Sequence, residues 1–318
     1  QAQHTDREKA VPMFNAFQRR VPDDISRWLA KVSENPIVEA FPEKIDIHPG
    51  MDSSMLLSTE MPAILSELVS KPRTRRTVAY INVPYCETRC FYCLFYIKPY
   101  RNKEESNAFA DTLIKELQLW SDKPVQKGEP VHAVYFGGGT PTSVNAQQLR
   151  QLMGTMAEQF DLPALEEFTV EAGRPDCTDE EKLRIIKEYG ATRISINPQT
   201  FSDEVLRNIG RRHTAQDILD CYRTARRVGH DNINMDLIAG LPGDTVEGFR
   251  HSLQTAIDLD PENITVHTLT LKRASNLVVE HRAADYADVA AMVESCELLE
   301  KAGYRPLSLI HISEPTRH

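Results

Sequence analysis

No stretch of the 318-residue chain approaches the ~18 consecutive apolar residues of a membrane-spanning helix, so no membrane span is expected. The first twenty residues, QAQHTDREKAVPMFNAFQRR, lack the apolar centre of a secretory signal, and a cytoplasmic location is the expectation. Positive charge is also short. Lys and Arg number 37 against 46 Asp and Glu, a net charge of −9, without the concentrated basic face that duplex nucleic acid requires, so no nucleic-acid partner is expected. Short internal repeats and low-complexity tracts are missing. With 41% hydrophobic and 26% charged residues, the composition is that of a folded globular protein rather than a disordered or fibrous one.

Cysteine is scarce, six residues in all, and its placement matters more than its number. Cys86, Cys90 and Cys93 fall within eight positions, whereas Cys177, Cys221 and Cys296 stand alone. Three thiols so close cannot all pair with one another, and a reducing cytoplasm disfavours disulfides, so a metal or a cluster is the better reading. The Cys86-x3-Cys90-x2-Cys93 spacing suits an iron–sulfur cluster with one iron left open, or a zinc ion completed by a fourth ligand. No Cys or His lies between Cys93 and His132 to supply that fourth ligand from the same loop. The isolated cysteines read as small apolar packing residues.

From residue 77 onward, β-branched apolar segments alternate with stretches of helical periodicity. The expected strands are Val78–Val83, His132–Phe136, Glu167–Glu171, Arg193–Asn197, Ile233–Ile238 and Ile264–Leu271, with a further one near Tyr304. Helices are expected over Phe109–Trp120 and Leu149–Phe160. Capping-box-like pairs stand at Thr178/Glu181 and Thr214/Asp217, and Gly190, Gly229 and Gly303 stand where left-handed caps end helices. Six strand–helix alternations imply parallel strands with right-handed crossovers, and the expected fold is α/β, a partial TIM-like (β/α)6 barrel. Three segments follow from this: an N-terminal extension over 1–76, holding one helix at Met61–Val69, the barrel over 77–306, and a tail over 307–318. The tail, LSLIHISEPTRH with its preceding Pro306, does not continue the alternation and resembles translated adaptor sequence. The natural chain is therefore expected to continue past Arg305 with different residues. The basic run Lys71, Arg73, Arg75 and Arg76 reads as a solvated face.

In parallel α/β folds, ligands bind at the carboxyl ends of the strands, and here those ends are rich in polar residues. Strand one runs into PYCETRCFYC and strand two into GGGTPT; strand three ends in Glu171-Ala-Gly-Arg174, strand four in Asn197-Pro-Gln199, and strand five holds Asp236. Gly137, Gly138 and Gly139 let backbone amides approach a ligand closely. The turn lacks the Gly-Lys-Ser/Thr ending of a phosphate loop and the spacing of a dinucleotide fingerprint. Asp236, inside the apolar run NINMDLIAGLP, needs a polar partner if buried. His267 and His213 read as satisfied core or rim histidines, and Trp120 and Met156 as core.

Together YINVPYCETRCFYC, YFGGGTPT, TVEAG, SINPQT and MDLIAGLPGD resemble the radical S-adenosylmethionine (SAM) superfamily. FTVEAGRPD, RISINPQT, GRRHT, NINMDLIAGLPGD and ITVHTLTLKRAS resemble its oxygen-independent coproporphyrinogen III oxidase family over roughly residues 77–305, most closely the coproporphyrinogen dehydrogenase branch. The resemblance implies that Cys86, Cys90 and Cys93 hold a [4Fe–4S] cluster whose open iron binds SAM. It places Tyr80 beside the cluster, Tyr92 at the adenine, and Gly138, Gly139 and Thr140 at the methionine end. It further gives Glu171 the SAM amino group, Arg211 the carboxylate and Asp236 the ribose or its neighbours, with Gln199 completing the pocket. It implies an electron donor such as flavodoxin or ferredoxin, a 5′-deoxyadenosyl radical that takes hydrogen from a propionate side chain, and a tetrapyrrole substrate, and it implies that a C-terminal domain covering the substrate is missing.

Two positions depart from the characterised oxidases: Asn82 where they carry His, and Phe95 where they carry a fourth Cys. Related non-oxidase branches have an aromatic residue at the latter. The segments AFPEKIDIHPG, KPRTRR and CLFYIKPYRN resemble the anaerobic haem-degrading methyltransferases of the same branch. That enzyme and a haem-binding chaperone of the family are the alternative readings.

Overall fold

A computed structural model describes residues 61–93, 98–99, 102–269, 295–306 and 315–316. The N-terminal extension before Met61 and most of the 307–318 tail lie outside the described residues, as do Phe95 and most of CLFYIKPYRN. The chain divides into two compact units, 1–66 and 67–318, and the architecture below is that of the second.

Six strands form its centre: β1 (Thr77–Val83), β2 (Val131–Gly138), β3 (Glu167–Glu171), β4 (Arg193–Ser195), β5 (Ile233–Ala239) and β6 (Asn263–Thr268). They pair in sequence order, and every neighbouring pair is parallel. An unreversed order distinguishes this sheet from a doubly wound one and is that of a barrel left open between β1 and β6. Two-residue strands β7 (Arg305–Pro306) and β8 (Pro315–Thr316) extend it antiparallel beyond β6, in the order β6–β8–β7.

Strand chemistry follows the two-residue period. Phe136, Phe168, Val170, Ile194, Met235, Leu237 and Ile264 all lie on one face and are completely buried. Their burial contributes roughly 1.5–3 kcal/mol per large side chain. The register aligns the alternate, polar positions across the other face, Glu171 beside Ser195 and Ser195 beside Asn234. Ser195 donates to Asn197 Oδ1 (2.7 Å), Asn234 donates to Ser195 (2.9 Å), and Thr265 donates to Asn234 Oδ1 (3.0 Å).

Helix α1 (Met61–Val69) spans the boundary of the two units. In the second unit, α2 (Lys103–Ser121), α3 (Ala146–Gln159), α4 (Glu180–Glu188), α5 (Asp203–Asn208), α6 (Ala215–Val228) and α7 (Val246–Leu259) run outside the sheet. Thr214 and Asp217 form the expected capping box of α6, and Gly229 ends it at φ +101°. The expected cap of α4 moves by one residue: Asp179, not Thr178, accepts from Lys182 N–H, because the Thr178 hydroxyl is taken by the Thr142 hydroxyl at 2.9 Å. Trp120 is half-exposed rather than core, since α2 buries only Ala110, Leu113 and Leu117 among its apolar residues, whereas Met156 is fully buried. Strand four ends at Ser195, two residues early, as the chain turns toward Gln199. Strand six covers Asn263–Thr268; Leu269 follows it, and residues 270–271 lie outside the described residues. Arg73 donates to the carbonyls of Val125, Gln126 and Glu129, so this member of the basic run is structural.

Candidate cofactor site at the carboxyl rim

The cysteine loop leaves β1 and is tied down by backbone as well as side chain. Cys86 and Cys90 are buried and Cys93 is partly so. Cys93 N–H donates to Cys90 C=O (3.0 Å), closing a turn, and Phe91 N–H donates to Ile209 C=O (3.1 Å). The Thr88 hydroxyl donates to Gly210 C=O at 3.1 Å, so the 209–211 segment braces the loop.

Two arginines set its electrostatics. Arg174 donates to Thr88 C=O (2.7 Å) and to Cys90 Sγ (3.1 Å), and Arg211 donates to Asn197 C=O at 2.6 Å with Nη2 3.5 Å from the Tyr92 hydroxyl. Burial pushes the Cys90 thiol up, but the guanidinium groups of Arg211 and Arg174 outweigh it and hold the thiol below its ordinary range. A cluster needs thiolates, so a buried cysteine already biased toward ionisation fits an iron–sulfur ligand. Arg211 keeps one buried atom, Nε, without a hydrogen bond, an orphaned donor suited to an anionic ligand. Cys86 differs: burial holds its thiol above the ordinary range, with Thr140 Oγ1 3.2 Å from its sulfur.

The glycine turn after β2 is shaped by close backbone approach. Gly138 has φ +114°, and a Cβ there would strike the Asn82 amide. A Cβ on Gly139 would lie 2.6 Å from Tyr85 C=O, while Gly139 N–H donates to Val83 C=O at 2.7 Å. Thr140 is buried beneath this turn.

The strand side of the rim carries an acidic group. Glu171 accepts from the Tyr135 hydroxyl (2.7 Å) and from Gly138 N–H (3.1 Å). Burial first, and the nearby Asp236 carboxylate second, push its carboxyl up to about 7 in spite of those hydrogen bonds. Asp236 finds the partner its apolar strand demands in Asn234 Nδ2, at 2.7 Å. Tyr80, 56% exposed, stacks on Tyr135 at 5.6 Å between ring centroids. Gln199 is buried at φ +68°, its N–H donating to Asp236 C=O (2.8 Å) and its C=O accepting from Ile238 N–H (2.9 Å). A non-glycine residue held in that region commonly marks a functional site.

The rim therefore gathers the twelve sequence-assigned residues into two linked groups. Cys86, Cys90, Tyr92, Thr140 and Arg211 interact on the loop side, and Cys93 closes the loop turn. Tyr80, Gly138, Glu171, Asp236 and Gln199 are joined on the strand side, and Gly139 carries the turn between them. Two contributors were not singled out from sequence, Thr88 and Tyr135, while Arg174 was named only as the polar end of strand three. Tyr135 had a usable signal, since two-residue alternation from Gly137 puts it on the polar face.

A singly wound partial barrel carrying a three-cysteine loop on its rim defines a class of cofactor-dependent enzymes. The chain belongs to the radical SAM superfamily, whose model matches residues 80–256, and its cofactors are a [4Fe–4S] cluster and SAM. Within the superfamily it is similar to an oxygen-independent coproporphyrinogen-III oxidase-like protein, HemZ of Bacillus subtilis, with 37% identity over 84% of this chain and 56% of the relative. It is also similar to the heme chaperone HemW of the same species, with 39% identity over 61% of this chain and 50% of that one. Among solved structures, the coproporphyrinogen III oxidase HemN of Escherichia coli matches with a TM-score of 0.68 and 25% identity, over 80% of this chain and 58% of its own. The chain thus spans about half the length of these relatives. No helix among the described residues is long and apolar enough to cross a membrane.

Proposed function

We propose that the protein acts on a tetrapyrrole, by oxygen-independent oxidative decarboxylation of coproporphyrinogen III to protoporphyrinogen IX. The observation that carries this reading is the likeness to the HemZ protein over 84% of the chain, joined to a rim that carries both the Cys90-bound Arg174 with Arg211 and the acidic pair Glu171 and Asp236. In this reading Cys86, Cys90 and Cys93 hold the cluster. Held there, the cluster and SAM would supply radical hydrogen abstraction, the electron coming from a donor such as flavodoxin or ferredoxin.

The chain's own residues then bind and orient. Arg211, through its free Nε, holds the SAM carboxylate, Glu171 holds the amino group, and Gly138, Gly139 and Thr140 bound the methionine end. Tyr92 meets the adenine, Asp236 and Gln199 lie toward the ribose, and Tyr80 stands beside the cluster. Glu171 must be ionised to hold an ammonium group, and its carboxyl titrates near 7, so SAM binding below pH 7 releases a proton at this residue. SAM affinity is therefore expected to rise with pH up to neutrality, and calorimetry in two buffers of different ionisation heat reads that proton directly.

A second reading, a haem-binding chaperone, is favoured by the 39% identity to HemW. Anaerobic reconstitution with iron and sulfide, followed by reduction with SAM and either coproporphyrinogen III or haem, separates these readings. Vinyl products with deoxyadenosine support decarboxylation. Haem bound without turnover supports the chaperone, and a methylated, opened tetrapyrrole points to haem degradation. A colourless protein that does not cleave SAM overturns the proposal.

A further inference from the structure

Arg174 reaches the cysteine loop from just past the end of β3. Pro175 follows it and restricts it to extended backbone, observed at φ −130° and ψ 105°. Cys177 N–H donates to Arg174 C=O at 3.0 Å and closes the turn behind it. The side chain is fixed at its far end as well. Nη1 donates to the Thr88 hydroxyl (3.2 Å), and Nη2 donates to Thr88 C=O (2.7 Å) and to Cys90 Sγ (3.1 Å). The residue is 5% exposed.

No carboxylate among the described residues pairs with this guanidinium. Asp176, two residues on, faces the His213 ring instead, its Oδ1 lying 3.5 Å from Nδ1. A buried cation without a carboxylate partner is costly unless another anion meets it, and the group it meets here is the Cys90 sulfur. Arg211 differs, because in the reading above the SAM carboxylate offsets its charge. Cys86 differs too, with the neutral Thr140 hydroxyl 3.2 Å from its sulfur.

We propose that Arg174 is a positioning residue that raises the reduction potential of the iron–sulfur cluster by acting on its Cys90 ligand. The proposal rests on the reading of Cys86, Cys90 and Cys93 as the cluster ligands. Reduction takes one electron from a low-potential donor, a flavodoxin or ferredoxin, and no proton, so one negative charge is added next to a buried cation. Fixed positive charge in a water-poor site, and an N–H aimed at a ligand sulfur, both favour the more negative form, since net charge, hydrogen bonds to the sulfurs and exposure set a cluster's potential. Arginine suits the role. Its guanidinium stays protonated at any working pH, and its planar fork serves Thr88 and Cys90 at once.

The test is an anaerobic redox titration of the full chain with its cluster loaded and SAM left out, read from the electron paramagnetic resonance signal of the reduced cluster. Arg174→Met should lower the midpoint so that the reduced-to-oxidised ratio at a given potential falls about tenfold, which for one electron is about 59 mV. Arg174→Lys keeps the charge but loses the fork, and its midpoint should lie between those of the parent and Arg174→Met. Arg212→Gln removes a cation beside Glu87 of the same loop whose side chain is 67% exposed, and should leave the midpoint unchanged because solvent screens it. Iron per chain is counted for every variant. Midpoints of both Arg174 variants equal to the parent's, or an equal fall with Arg212→Gln, overturn the proposal. Loss of iron from both Arg174 variants overturns it too, since the residue would then be purely structural. A parent chain that loads no cluster overturns the cysteine reading itself, and shows this before any variant is made.

Discussion

The two sides of the rim solve opposite electrostatic problems. On the loop side, Arg174 and Arg211 converge on Cys90, and two buried cations hold a buried thiol below its ordinary range. On the strand side, Glu171 and Asp236 are brought together without a cation, and Glu171 is pushed up to about 7. One half sets two cations against a single thiol biased toward ionisation, with Cys86 held in its thiol form. The other carries an excess of negative charge that a positive ligand would relieve, and its cost falls on the stability of the ligand-free chain.

The sharpest way to break this contrast is at its thiol. Cys90→Ala should abolish cluster absorbance and SAM cleavage together, because two thiolates do not hold the cluster; full retention of either, by visible spectroscopy and deoxyadenosine release, would contradict the assignment. A smaller effect is expected from Arg174→Met, which removes the bonds to Thr88 C=O and Cys90 Sγ. Losing a charge-assisted hydrogen bond costs about 1.5–3 kcal/mol. The variant should unfold at lower denaturant and lose iron faster than the parent, and denaturation monitored alongside iron content checks both.

The strand side should respond with the opposite sign. A carboxyl whose folded-state pKa is raised stabilises the fold fully below its ordinary value of 4.5, and that contribution is lost as pH rises through about 7. The change amounts to at most about 3 kcal/mol. Glu171→Gln removes it while retaining an oxygen for Tyr135 and Gly138, so the ligand-free variant should melt higher than the parent at pH 8 and no higher at pH 5. Its SAM affinity should fall. Equal melting differences at both pH values would place the Glu171 titration elsewhere.

Much of this was legible in the chain. Val134–Phe136 and Phe168–Val170 read as strands because β-branched and aromatic residues alternate in a buried sheet, and β3 begins and ends at the expected Glu167 and Glu171. Thr214 and Asp217 announced their helix because a capping box is a local device. Thr178 misled for the converse reason: its hydroxyl answers to Thr142, 36 residues away, and no local rule registers that claim. Trp120 misled likewise, since helical spacing names a face without saying how far along the helix the core extends.

What the sequence determined alone was the list of chemical groups and their order: three thiols after the first strand, glycines after the second, a carboxylate at the end of the third, and an alternation that makes the sheet parallel. Strand ends of a parallel sheet share one rim, so those groups had to meet there. The tertiary structure decided how they meet. Arg174 and Arg211 lie 84 and 121 positions beyond Cys90, yet both shift the proton affinity of its thiol, and His213 is buried with Nδ1 3.5 Å from Asp176. Proton affinity depends on distance, burial and neighbouring charge in space, and none of these is a property of residue order.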